Sequence, residues 1–393
     1  MSGGRAPDSS GRSRAGGGNT TGAGSAAGAP ISPVPRKGRG AVSNIAHRFE
    51  STEREADGDA LDHMRRLAQS EGEEILPPLA TTVTHEQAKR LITYNDSPDI
   101  PFDRSINPYR GCEHGCVYCY ARPTHSYLNL SPGLDFETRL VAKVNAVERL
   151  RAELSAAGYR PAVVNIGSAT DAYQPIEREL RLTRGIVELL VSTRHPFSIV
   201  TKSSLVEREL DLLGEAAGLG IAAVFISLTT LDHALSRTLE PRAASPARRL
   251  RSIETLAAAG IPVHVNAAPV IPFITEPELE RILAAARGAG AACAHYTVLR
   301  LPWEVSPLFQ QWLAAHFPER AQRVMNRVRE MRGGLDYDAD FATRMKGEGT
   351  WAALIRQRFD KACVRLGFVR ETAALRADLF VPPRAAAPQL DLF

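Results

Sequence analysis

Three of the five cysteines lie within eight residues of one another, in the stretch INPYRGCEHGCVYCYARPTHSY from Ile106 to Tyr127. Cys112, Cys116 and Cys119 follow the spacing C-x3-C-x2-C. Thiolates are the usual protein ligands of iron–sulfur clusters. Three of them on a cube of four irons leave one iron without a protein donor and open to a small molecule. The spacing therefore points to reactivity rather than simple electron carriage. Gly111 and Gly115 let such a loop turn tightly, because glycine accepts positive φ. A structural zinc site is the competing reading, and it needs a fourth ligand that His114 or His125 could supply. Cys293 and Cys363 stand apart in sequence and are expected as buried apolar thiols.

The bulk composition limits what surrounds this loop. With 393 residues, 44% hydrophobic and 23% charged, the chain is long enough for one large domain with extensions or for two domains. No apolar run is long enough to cross a bilayer, and no apolar stretch follows the N-terminal arginines as a secretory signal would require. A net charge of +4 permits a nucleic-acid partner without arguing for one. Clustered cysteines in a chain this long read as metal binding or catalysis in a reducing cytoplasm, not as a disulfide framework.

The elements that must position the cysteines follow from hydrophobic period. Residues 1–45 are rich in Gly, Ser, Ala and Arg and are expected to be a disordered basic tail. Residues 46–95 are expected to wrap a core at 96–303. A helical extension is expected at 304–375, and a flexible tail at 376–393. Strands are expected at 104–109, 162–167, 197–201, 222–228, 261–266 and 296–300, with helical periods between them. One helix is expected over 135–157, with Leu140, Val141, Val144, Val147, Leu150 and Leu154 on one stripe. Others should start at Ser245-Pro246 and Thr275-Glu276-Pro277, and helix ends fall at Gly158 and Gly260. Alternation of this kind predicts parallel β/α units wound as a partial (β/α)6 barrel of the TIM type. Ligands then sit at the C-terminal ends of the strands, which is where the cysteine loop falls. In the extension, Ala321, Val324, Val328 and Met331 form an apolar face, and Arg320, Arg323 and Arg327 line another that could contact phosphates.

C-x3-C-x2-C on the loop after the first strand of a β/α barrel resembles the radical S-adenosylmethionine (SAM) superfamily. The strings NDSPDIPFDRSINPYRGCEHGCVYCYARPTHSYLNLSPGLDFE, TDAYQPIERELRLTR, SLTTLDHALSRTLEPRAASPARRL and LRLPWEV resemble its bacterial branch related to spore photoproduct lyase. The resemblance covers about residues 95–366. It implies a 4Fe–4S cluster on Cys112, Cys116 and Cys119, with SAM on the fourth iron. It also implies reductive cleavage of SAM to a 5′-deoxyadenosyl radical, and an electron donor such as flavodoxin or ferredoxin.

Carried over residue by residue, the resemblance places Tyr120 near the adenine and offers Tyr118 for the cluster shell or a radical relay. The usual Gly-Gly-Glu motif after the second strand is here Gly167-Ser168-Ala169-Thr170-Asp171, whose Ser168, Thr170 and Asp171 offer oxygen acceptors to the SAM ammonium. Lys202 and Ser227 occupy positions that relatives use for the SAM carboxylate and ribose. Glu240, Arg242 and Arg249 are expected to form an ion pair tying their loop to its helix, while residues 268–272 and Arg300 line the pocket. Spore photoproduct lyase returns hydrogen to its substrate from a cysteine near the end of strand two. No cysteine lies between Cys119 and Cys293 here, so Tyr118, Tyr120 or Tyr173 would have to act, or the reaction differs.

The last five residues, Gln389 to Phe393, read QLDLF and resemble the peptide by which bacterial repair proteins dock on the DNA sliding clamp. Together these readings describe a radical SAM enzyme acting on DNA, in repair or base modification. The alternatives are radical modification of RNA or of a protein side chain, and a non-catalytic iron–sulfur protein that binds nucleic acid or senses redox state.

Overall fold

The structure, a computed structural model, describes residues 35–50, 79–370 and 374–383. Its strands are β1 (Thr82–Glu86), β2 (Ile92–Tyr94), β3 (Arg104–Ile106), β4 (Tyr109–Arg110), β5 (Arg139–Lys143), β6 (Val164–Ile166), β7 (Phe197–Thr201), β8 (Ala222–Ser227), β9 (Val263–Val270) and β10 (Cys293–Val298). β3, β6, β7, β8, β9 and β10 pair in parallel in that order, and β2 adds antiparallel at the β3 edge. Helices follow most strands, as the expected partial (β/α)6 barrel requires. A second, small sheet joins β1, β5 and β4.

Period-two alternation gives the large sheet two unlike faces. Ile166, Ile199, Val224, Ile226, Val263 and Val265 share one core with helix residues such as Leu190, Ile253 and Leu283. Their neighbours Asn165, Ser198, Phe225, Ser227, His264 and Asn266 therefore face the concave side. There Asn165 Nδ2 donates to Ser198 Oγ at 2.9 Å. The lumen is polar because its strands alternate apolar with polar residues, unlike strands buried on both faces.

Helix Pro246–Ala258 starts as its sequence predicts, with Ser245 Oγ accepting from Arg248 N at 3.4 Å. Gly260, at φ +76°, follows its end, and Gly158 lies in the turn beyond helix Ala146–Leu154. A helical segment also starts after Thr275, as a 3₁₀ turn Glu276–Glu278 with Pro277 in its first turn that runs into helix Leu279–Gly288. The Thr275 side chain does not cap it: its Oγ accepts from Ile271 N (2.8 Å) and donates to Pro269 O (3.0 Å), shaping the loop after β9. One expectation fails. The single helix over 135–157 is instead a helical turn Asp135–Thr138, strand β5 and helix Ala146–Leu154. Leu140 and Ala142 alternate inward on β5, and backbone pairing with β1 and β4 outweighs local helical period.

Both ends of the described chain are more fixed than composition suggests. Residues 39–42 are buried against the cysteine loop. The tail from Arg376 bonds Gly220 O through its amide (3.0 Å), and Phe380 packs edge-on against His195. The rest of the N-terminal tail, residues 1–34, and the QLDLF terminus lie outside the described residues.

The sheet edges β10 and β2 lie at opposite ends of the strand order, and a strap from the C-terminal extension links them. Met345 O accepts from Val298 N (2.9 Å) beside β10, while Arg344 holds Asp99, in the loop between β2 and β3, at 2.6 Å. Helices Val305–His316, Pro318–Glu330 and Gly349–Leu366 complete the extension. On the second of these, Val324, Val328 and Met331 are buried. Arg323 stacks over Phe273 (4.0 Å) and Arg327 over Trp351 (4.2 Å). Among the described residues no helix is long and apolar enough to cross a membrane.

His195 gives the body a pH dependence. Its ring lies between Tyr159 OH (2.7 Å) and Pro196 O (3.0 Å), and burial pushes its pKa down from 6.5 to about 4. The unfolded chain takes this proton first, so stability falls as pH drops from about 6.5 to about 4. A urea midpoint measured across that range should fall more steeply for the wild type than for His195→Asn; equal slopes would remove His195 from the account.

Candidate active site

The cysteine loop leaves β4 and is held between the two sheets. Cys112 and Cys116 are buried and Cys119 is half-buried. Gly111 and Gly115 take φ of +75° and +66°, as the tight turn predicts. The loop's fixed point is Arg122, fully buried at the start of the 3₁₀ turn Arg122–Leu128. Its guanidinium donates to Cys116 O (2.9 Å), Gly115 O (3.2 Å), Pro132 O (3.0 Å) and Gly133 O (2.9 Å). Its remaining partner is the equally buried Glu137, at 2.5 Å. Glu137 also accepts from Gly40 N (3.0 Å) and Ala41 N (2.8 Å). Gly40 is required by close approach: a Cβ there would lie 1.8 Å from Gly115 O. On the other side Gln174 accepts from Glu113 N (2.9 Å) and donates to Gly111 O (3.2 Å).

The predicted SAM-binding residues gather at the C-terminal ends of β6, β7 and β8. Asn107 sets the 168–170 turn, with its Oδ1 accepting from Ala169 N (2.8 Å) and its Nδ2 donating to Ser168 Oγ (3.2 Å). Tyr120, half-exposed, donates its hydroxyl to Ser168 O. Thr170 Oγ turns toward Tyr109 O (3.4 Å). Asp171 is half-buried with both oxygens engaged, by Thr201 Oγ (2.7 Å), Tyr173 N (2.9 Å) and Lys202 N (2.7 Å). His114 Nδ1 faces it at 3.2 Å. Burial alone would raise the Asp171 pKa, but His114 and these donors bring it well below the usual carboxylate range. Asp171 thus braces the site here, and less of it is free for an ammonium than its residue type suggests.

A second carboxylate lies across the lumen. Glu240 holds Arg249 and accepts from Tyr118 OH and from Thr229 Oγ (2.7 Å). Against burial, Arg249 and then Lys202 bring it down to about 2. Arg242 departs from the expected trio and pairs with Glu113 at 3.0 Å. Tyr118 is sealed, and its pKa is raised by burial first and by Glu240 second. Tyr173 is also sealed, in the core. Lys202 differs from both. Its ammonium lies 5.8 Å from the Tyr118 ring centre, with Cys116 and Glu240 as its main charge partners, and among the described residues nothing hydrogen-bonds it. Ser227 ends β8 in register with Asn266 on β9.

The loop fits a four-iron cluster better than a single ion. Among the described residues, the one trio of candidate ligands whose atoms all lie within 4.8 Å of one another is His264, Cys293 and His295. The three loop thiols do not form such a trio. Neither histidine offered for zinc is well placed: His125 Nε2 bonds Arg139 O (2.9 Å) and His114 faces Asp171. Burial pushes the Cys116 thiol up to about 12, partly countered by Lys202, so its ionisation calls for a cation beside it.

The fold and site define a β/α enzyme framework built around a three-thiol loop. The family model for the radical SAM superfamily matches residues 106–286. The uncharacterized protein Rv2578c of Mycobacterium tuberculosis is 39% identical over 234 residues, covering 59% of this chain and 68% of that one. The uncharacterized protein MJ0683 of Methanocaldococcus jannaschii is 27% identical over 223 residues, covering 57% and 80%. A solved spore photoproduct lyase with bound AdoMet and dinucleoside spore photoproduct aligns with a TM-score of 0.49 at 14% identity, over 78% of this chain and 91% of that one. The chain belongs to the radical SAM superfamily, whose members use a 4Fe–4S cluster and SAM.

Arg122, Glu137, Gln174, Asn107 and Gly40 escape a reading by residue type, because none sits in a chemical pattern. The signals are slight: an arginine-proline pair just after the last cysteine and an acid in LDFET. Breaking a buried pair by removing one partner leaves an uncompensated charge and costs roughly 3–5 kcal/mol. Arg122→Met and Glu137→Gln should each lower the denaturation midpoint and cut iron per chain after anaerobic reconstitution by more than half. Full iron loading in both variants would show that the pair does not hold the loop.

Proposed function

We propose that Cys112, Cys116 and Cys119 hold the 4Fe–4S cluster and that the enzyme acts on DNA, in repair or base modification. When bound, the reduced cluster and SAM supply hydrogen-atom abstraction, with 5′-deoxyadenosine and methionine as spent products. The chain's own residues bind and orient. Lys202 offers its ammonium to the SAM carboxylate. Ser168 Oγ offers an acceptor to the SAM ammonium, Tyr120 a face for adenine, and Ser227 a hydroxyl for ribose. Asp171 positions His114 and the backbone of Lys202. The single electron must come from a reductant such as flavodoxin or ferredoxin, and thiol ligands of this kind suit the cytoplasm.

The observation that carries the nucleic-acid reading is a belt of alternating rings and guanidiniums. Arg300 lies over Tyr120 (5.3 Å) and reaches Tyr337 OH (3.4 Å). Tyr337 neighbours Trp303 (6.4 Å), and Arg48 lies over both Trp303 (4.5 Å) and Tyr127 (5.6 Å). Tyr120, Trp303 and Tyr127 are 50%, 62% and 68% exposed. Exposed rings interleaved with arginine form the platform on which unpaired bases stack. The belt would take RNA as readily as single-stranded DNA. The choice of DNA rests on the spore photoproduct lyase-like strings and on QLDLF, for which docking on the sliding clamp is proposed from sequence alone.

The deciding assay is 5′-deoxyadenosine formation by reconstituted, dithionite-reduced enzyme, run alone and with undamaged DNA, UV-irradiated DNA or RNA. DNA should stimulate it and Cys119→Ala should abolish it. Stimulation by RNA alone would move the substrate to RNA, and an unchanged rate with every nucleic acid would remove the nucleic-acid reading. Trp303→Ala should weaken single-stranded DNA binding by the roughly 1–3 kcal/mol of one stacked base.

Lys202→Met should weaken SAM binding at least tenfold while leaving iron content unchanged. Unaltered SAM affinity would take Lys202 out of the site.

A further inference from the structure

We propose that His264, Cys293 and His295 form a zinc site on the floor of the barrel lumen, distinct from the cysteine loop. The sequence offers no warning of it, since Cys293 reads as a solitary apolar thiol. The sheet register creates it. Cys293 stands opposite His264, and His295 opposite Asn266, which in turn stands opposite Ser227. Residues paired in this way project to the same face of a parallel sheet, so all three side chains share the face that carries the proposed SAM residue Ser227.

The geometry is that of a ligand set. His264 Nδ1 lies 3.3 Å from His295 Nε2, and Cys293 Sγ lies 3.8 Å from the same nitrogen. Zinc bonds of about 2.0–2.1 Å to nitrogen and about 2.3 Å to sulfur at tetrahedral angles require separations of about 3.3 Å and about 3.6 Å. Cys293 and His264 are each 3% exposed, so an ion held by His264 Nδ1 and Cys293 Sγ would be shielded from bulk water. Phe225 packs at 4.3 Å against His264 and 5.6 Å against His295, steadying both rings. His295 is exposed, which gives an ion a way in. Two imidazoles and one thiolate suit zinc, and three protein ligands leave a fourth position for water.

The site does not depend on the radical SAM assignments, and the test keeps the two apart. The full chain carrying Cys112→Ala, Cys116→Ala and Cys119→Ala is loaded with cobalt(II) as a spectroscopic stand-in for zinc and passed through a desalting column. One cobalt per chain with thiolate-to-metal absorption is expected. Adding Cys293→Ser should abolish that absorption, and adding His295→Gln should weaken retention at least tenfold. As a second measurement independent of the triple variant, zinc is counted in the reconstituted enzyme. One zinc per chain should be present in wild type and lost in Cys293→Ser and His295→Gln, with iron unchanged. Absence of retained metal in wild type, or retention unaffected by both substitutions, overturns the proposal.

Discussion

The buried ion pair between Arg122 and Glu137 is the constraint on which the site depends. A loop carrying three cysteines within eight residues and two left-handed glycines has little side chain of its own to fix its shape, so that shape is fixed largely through its backbone. Arginine suits this task because its planar head carries five donors. Four go to carbonyls of the loop and its flank, and the last meets a carboxylate. Desolvating two charges is expensive, and here every exposed donor direction is answered. Glu137 extends the arrangement to the amides of Gly40 and Ala41, drawing a segment almost a hundred residues away into the wall of the site.

The opposite wall is built on the same principle with different partners. Asp171 and Glu240 are both carboxylates kept ionised by donors and cations around them. Between these walls the Lys202 ammonium is left with charge partners and, among the described residues, no hydrogen-bond partner. A compact ammonium in that setting is the feature of the lumen most ready to receive an anion, since it needs to break no bond within the protein to do so.

The open sheet explains the C-terminal extension. Edge strands expose unpaired amides and carbonyls unless they are covered. The strap through Arg344 and Met345 covers the end of β10 and ties it to the loop beside β2. The same extension supplies Tyr337 to the ring–arginine belt. Closing the fold and supplying a ring to the proposed binding rim are thus done by one segment.

Much of this was legible in the sequence. The cysteine spacing, its two glycines, the strand at 197–201 and the cap at Ser245 are local signals, and local physics decides them. Lys202 and Ser227 could be proposed from sequence because strand ends in a β/α barrel are where ligands sit. The helix expected over 135–157 failed because an apolar run such as RLVAK suits either period, and pairing with distant strands chose between them. Cys293 gave no signal because its partner His264 lies on another strand and only register brings them together. By itself the sequence determined which chemistry was available: thiols, a lysine, short polar turns, and the alternation that makes a barrel. Tertiary structure alone decided which carboxylates are spent as braces, which cation remains free, and which rings meet arginines. Those outcomes depend on distances between residues far apart in the chain, and such distances exist only once the chain has folded.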